Sequence, residues 1–220
     1  MNKIVDQKRK YRITNIKNSS FDKQVYVCSY GGCGSKMLTS FLQNYFNVKH
    51  VHSRKPPLEL EYIGAENNIS DFHPEWFNGV KIPNDLLPNF TVIYIYKNPV
   101  DSIYSRFDSR YHLRNIQTEI ETKPKDVLEK KEDLYGIEEF FDNYTKPDPN
   151  RNYKIICVKY EEIFDKQQEL FDLLGIKTNG NLMVKKETPR DKPDSEVKIY
   201  EEIYKPLKDK MKSMKFIEIV

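Results

Sequence analysis

Two segments of this chain repeat one order: an apolar strand, a polar loop, then an amphipathic helix. Gln24-Val-Tyr-Val-Cys-Ser-Tyr30 runs into Gly31-Gly-Cys-Gly-Ser-Lys36 and an apolar helix. Thr91-Val-Ile-Tyr-Ile-Tyr96 runs into Lys97-Asn98-Pro99-Val-Asp101, with Ser105 just beyond. Strands that are apolar on both faces and alternate with helices predict a parallel sheet covered on both sides. Ligands of such sheets bind beyond the carboxyl ends of the strands. Both polar loops are therefore expected at one edge of the sheet, facing one cleft.

The other elements follow the same alternation. Met37, Leu38, Phe41, Leu42, Tyr45 and Phe46 recur at helical spacing and predict a helix over 35–47. Val48 to Ser53 reads as a second short strand. Residues 54–89 are proline-bearing and aperiodic, an excursion expected to cover a site. Pro99 and Asp101 suit the first turn of a helix lined by Ile103, Tyr104, Phe107 and Tyr111. Gly136 to Tyr144 predicts a short helix and Tyr153 to Val158 a further strand. Ile163, Phe164, Leu170, Phe171 and Leu174 mark a helix stopped by Gly175. Tyr200, Ile203, Tyr204, Leu207, Met211 and Met214 mark the last helix, which Pro206 should kink or divide. The expected architecture is a P-loop-like three-layer α/β sandwich, with a central parallel sheet of about five strands flanked by helices. Residues 1–22 read as a polar arm and 23–220 as one domain.

Composition excludes several classes. With 220 residues, 38% hydrophobic and 31% charged, the chain is neither disordered nor membrane-spanning in character. No apolar run approaches the roughly 20 residues that a bilayer requires. The charged first residues lack an apolar leader core, so a cytoplasmic location is expected. A net charge of +3 is too balanced for a dedicated nucleic-acid binder. Cys28, Cys33 and Cys157 show neither a disulfide framework nor zinc-ligand spacing; Cys28 and Cys157 sit in apolar strands as small core residues.

The first loop has the residues that cradle an anion. Glycines let successive amide N–H groups turn inward, and a helix start adds its positive end. Ser35 and Lys36 add a hydroxyl and a mobile cation. The plain alternative is a glycine-rich turn between strand and helix. The pattern departs from G-x-x-x-x-G-K-[ST], because Met37 follows Lys36 where the Mg²⁺-binding hydroxyl should stand.

The segment Tyr94-Ile-Tyr-Lys-Asn-Pro-Val-Asp-Ser-Ile-Tyr-Ser-Arg-Phe107 resembles the 3′-phosphate-binding segment of the sulfotransferases that use 3′-phosphoadenosine 5′-phosphosulfate (PAPS). Their segment runs strand-R-N-P-x-D-x-x-x-S. Asn98, Pro99, Asp101 and Ser105 match it, and Lys97 stands for the arginine. The resemblance implies that Lys97 and Ser105 hold the 3′-phosphate. Gly31, Gly32, Cys33, Gly34, Ser35, Lys36 and Met37 are similar to the 5′-phosphosulfate loop of that family. The family's catalytic lysine falls at Gly32, a departure for which Lys36 is the candidate substitute. Ile155-Ile-Cys-Val-Lys-Tyr-Glu-Glu-Ile163, followed by Leu-Leu-Gly-Ile176, resembles the family's strand-R-Y-E-D-L segment. It puts Tyr160 near the adenine; a core tyrosine at a strand end is the alternative. Lys185, Lys186 and Arg190 fall where relatives place a basic loop over the 3′-phosphate; a solvated charged loop is the alternative there.

Sulfuryl transfer proceeds by in-line attack through a loose transition state and depends on positioning and charge stabilisation. The acceptor hydroxyl needs a base. His50 and His52 alternate with Val51 and so share one face. His52, nearer the carboxyl end, is the first candidate because imidazole titrates near neutrality; Glu59, Glu61 and His73 are reserves. The expectation is transfer from PAPS, leaving adenosine 3′,5′-bisphosphate (PAP), to a hydroxyl or amine of a carbohydrate or small molecule. No metal, nucleic-acid or membrane partner is expected. Two rivals stay open: a P-loop kinase, and an inactive nucleotide-binding module of the same fold.

Overall fold

The computed structural model describes residues 23–63, 80–107, 122–178, 180–186 and 189–220. The strands are β1 (Gln24–Cys28), β2 (Asn47–Val51), β3 (Phe90–Tyr96), β4 (Ile155–Lys159) and β5 (Ile217–Ile219). The helices are α1 (Ser35–Leu42), α2 (Pro99–Phe107), α3 (Pro124–Lys130), α4 (Ile137–Thr145), α5 (Gln167–Leu174), α6 (Asp194–Ile203) and α7 (Lys205–Ser213).

The strands form one sheet in the order β2-β1-β3-β4-β5. The first four are parallel, as their apolar runs predict. β5, at the edge, runs antiparallel to β4. The C-terminal strand follows α7 by a short turn, which returns it against β4 without a crossover.

Each face of the sheet carries its own core. On one side Val25, Val27, Ile93, Ile95 and Val158 pack under Leu38 and Phe41 of α1 and Leu170 and Phe171 of α5. On the other, Tyr26, Cys28, Tyr94 and Cys157 pack under Phe140 and Tyr144 of α4, with Tyr200, Tyr204 and Leu207 of α6 and α7 beyond. Tyr94 stacks on Tyr144 with ring centroids 4.6 Å apart. The result is a three-layer α/β sandwich.

Several elements end sooner than their periodicity predicts. α1 stops at Leu42, and Tyr45 and Phe46 pack from the turn that follows. The helix predicted from Ile163 begins only at Gln167, after a 3₁₀ turn over Tyr160–Glu162. The last helix is divided at Tyr204, with Pro206 in the first turn of α7. Residues 1–22, His73 and Tyr111 lie outside the described residues. Among the described residues, no helix is long and apolar enough to cross a membrane.

Candidate functional site

From β1 the chain passes to β2 on one side, and from there back across to β3 on the other. The crevice of such a sheet opens between the carboxyl ends of the strands where the order reverses, here β1 and β3. Cys28 pairs with Tyr94 in register. Loop 29–34 and loop 97–98 therefore leave the sheet side by side, as the sequence led us to expect.

Contacts from α2 and from Tyr160 set the shape of the first loop. Gly32 has φ +69°, and a Cβ there would lie 2.5 Å from the Ser102 carbonyl and 3.1 Å from the Ser105 Cβ. A lysine side chain does not fit at this position. Gly34, at φ +78°, precedes α1, and its Cβ would lie 2.3 Å from the Tyr160 ring. The Nζ of Lys97 sits over the other part of this assembly, 4.9 Å from the Tyr160 ring centroid. Gly34, Tyr160 and Lys97, drawn from three strand ends, are thus stacked together.

The other candidates fall into two groups. Ser105 packs on Gly32 and is half-buried, beside the loop. Asn98 accepts the Val100 N–H at 3.0 Å and caps the start of α2, while its own N–H donates to Glu161 at 2.7 Å. Arg190 donates to the Tyr104 carbonyl at 3.3 Å, and Lys192 pairs with Asp101 at 2.5 Å, so residues 190–192 pack against α2. The charge of Lys185 reaches Tyr160 and favours the phenolate, against the larger effect of burial, which raises that pKa. Lys186 is exposed. Met37 packs its side chain against the core between α1 and the sheet. Cys33 is buried, with its thiol 3.1 Å from the Gly31 carbonyl and 3.4 Å from the Ser102 hydroxyl.

On the β2 side a hydroxyl–imidazole network occupies the carboxyl end of the sheet. Ser29 donates to the Ser35 Oγ at 2.8 Å. His50 Nε2 lies 2.8 Å from the same oxygen. His52 Nδ1 lies 2.8 Å from the Ser29 carbonyl, which only accepts, so Nδ1 carries a proton. The two imidazoles meet edge to face at 4.2 Å. Burial, reinforced by the charge of Lys36, lowers the His50 pKa to about 4 and keeps that ring neutral. Lys36 itself is exposed on α1. The sequence placed His50 on the right face but gave no sign that it pairs with Ser35.

Of the reserve bases, Glu59 and Glu61 do not join this cluster. Leu60 donates to Asn152 Oδ1 at 3.0 Å, and Asn152 lies just before the amino end of β4. Glu59 and Glu61 flank Leu60 and so lie at the opposite end of the sheet; Glu59 pairs there with Lys81. The described part of the 54–89 excursion accordingly runs down the α4 face. With α4 it lines a groove of about 730 Å³ containing Arg54, Leu58, Gly136, Asn143 and Arg151. That groove starts two residues beyond His52 but lies across the sheet from α1.

Among the described residues, no group of three or more His, Cys, Asp and Glu side chains is arranged to hold a metal ion. No family model, curated protein or solved structure matches this chain.

Proposed function

We propose that this chain binds a nucleotide carrying two separated phosphates and transfers a sulfuryl group from PAPS to a hydroxyl or amine of a carbohydrate or small-molecule acceptor. One observation carries the reading. The two loops meet at the switch point, where the Tyr160 ring touches Gly34 of the first and lies under the Lys97 ammonium of the second. A planar base has an aromatic neighbour there, and each end of a bisphosphate has its own polar loop. The glycines at 31, 32 and 34 let Arg106, α2 and Tyr160 pack directly on the backbone of the first loop.

The roles follow from position. Amides of residues 31–36 and the positive end of α1 hold the 5′ side. Lys97 and Ser105 hold the 3′-phosphate; Lys186 and Arg190, from the basic segment, add positive potential over α2. PAPS, when bound, supplies the activated sulfuryl group. His52, with its proton fixed on Nδ1 by the Ser29 carbonyl, has Nε2 as the base for the acceptor hydroxyl. The inactive-module reading has one observation in its favour: the packing around Gly32 excludes the lysine that steadies the leaving oxygen in sulfotransferases.

Calorimetric titration with PAP, compared with ADP plus Mg²⁺, tests the reading. Preference for the bisphosphate, weakened about tenfold or more by Lys97→Ala or Ser105→Ala, is the expected result. Preference for ADP with Mg²⁺ supports the kinase. Binding of PAP without transfer of labelled sulfate to any acceptor in a sugar, phenol and amine panel supports the inactive module.

A further inference from the structure

Arg106 is the largest fully buried side chain in the described chain, 1% exposed. It lies one residue beyond Ser105 on α2, the face that packs on the first loop. Gly31 has φ +109°, and a Cβ there would meet the Arg106 Nη1 at 1.9 Å. Gly31 therefore lets the guanidinium lie flush against the loop backbone. The guanidinium also rests 4.7 Å from the Tyr30 ring centroid. Arg106 and Lys97 both lower the thiol pKa of Cys33, against the larger upward effect of burial. Residues 30–33 thus feel two cations, Lys97 from just before α2 and Arg106 from its last turn.

A buried cation in a low-dielectric setting acts strongly on any anion that settles nearby. The loop amides and the start of α1 are where such an anion would sit. We propose that Arg106 is the cation of the first loop and binds the anionic 5′ end of the nucleotide, in place of the lysine that Gly32 cannot supply. This rests on the bisphosphate reading above. It assigns the 5′ end to Arg106 and leaves the 3′ end to Lys97 and Ser105.

Ligands that differ only at the 5′ position decide the matter. Adenosine 3′,5′-bisphosphate and adenosine 3′-monophosphate are titrated against the wild type, Arg106→Gln and Arg106→Lys. Arg106→Gln is expected to weaken the bisphosphate about tenfold and to leave the monophosphate within about twofold. Arg106→Lys, which keeps the charge, should recover most of the loss. Equal weakening of both ligands, or of neither, overturns the assignment and makes Arg106 a packing residue, while the bisphosphate reading survives. A wild type that binds neither ligand brings down both. A crystal structure of the wild type with the bisphosphate needs no variant to fold. It should place the 5′-phosphorus within about 6 Å of the guanidinium; a more distant phosphate refutes the proposal.

Discussion

The Ser35 hydroxyl lies 2.8 Å from His50 Nε2 and accepts a hydrogen bond from Ser29 at the same distance. With the His50 proton on Nε2 this oxygen accepts from both neighbours, and its own proton is left for the phosphate proposed at the start of α1. This requires His50 to be neutral with its proton on Nε2, and burial beside Lys36 keeps the ring neutral. We expect His50→Phe to weaken bisphosphate binding about tenfold, and His50→Gln, which retains a donor in reach, to weaken it only a few-fold. Calorimetry on the two variants checks this; equal losses would remove the role.

The same histidine sets a pH dependence. Its pKa falls from 6.5 to about 4 on folding, so the unfolded chain binds more protons between those values. Stability should therefore decrease as pH drops from about 6.5 toward about 4, by up to ~3 kcal/mol from this group. Urea melts from pH 7 to 4 on the wild type and His50→Gln should differ in slope across that window.

A lysine at position 32 should do harm. Gly32→Lys puts a side chain into positive φ and against the Ser102 carbonyl. We expect a loss of about 2–4 kcal/mol in urea unfolding and no gain in nucleotide affinity.

The Tyr160 ring links the two loops through Gly34 and Lys97. Tyr160→Phe keeps the ring and should leave bisphosphate affinity unchanged. Tyr160→Leu removes the cation–π contact and should cost about threefold. Titration of both separates the ring from the hydroxyl.

Phe140 anchors α4 to the sheet. It stacks on Tyr144 at 5.2 Å, meets Tyr30 edge-on at 5.6 Å, and is 1% exposed. Phe140→Ala should destabilise the protein by about 3–5 kcal/mol in denaturant unfolding. Because Tyr30 begins the first loop, the variant should also bind the bisphosphate less tightly.

What the sequence determined by itself was local. Apolar runs at 24–30, 91–96 and 153–158 required buried strands, Gly175 stopped a helix, and Pro206 divided another. Alternation of these elements fixed the fold class, and the residues after β1 and β3 marked the loops of interest. Those features are written in spacing along the chain, which sets which face of each element is buried. Tertiary structure decided what spacing does not encode: who meets whom across the sheet. The pairing of Val27 with His50 brings that histidine to Ser35. The approach of α2 sets Arg106 on Gly31 and shuts lysine out of position 32. The path of residues 54–63 carries Glu59 and Glu61 to the far end of the sheet, and the short turn after α7 reverses β5. Each outcome depends on packing between elements distant in sequence, and no local pattern of residue types specifies such packing.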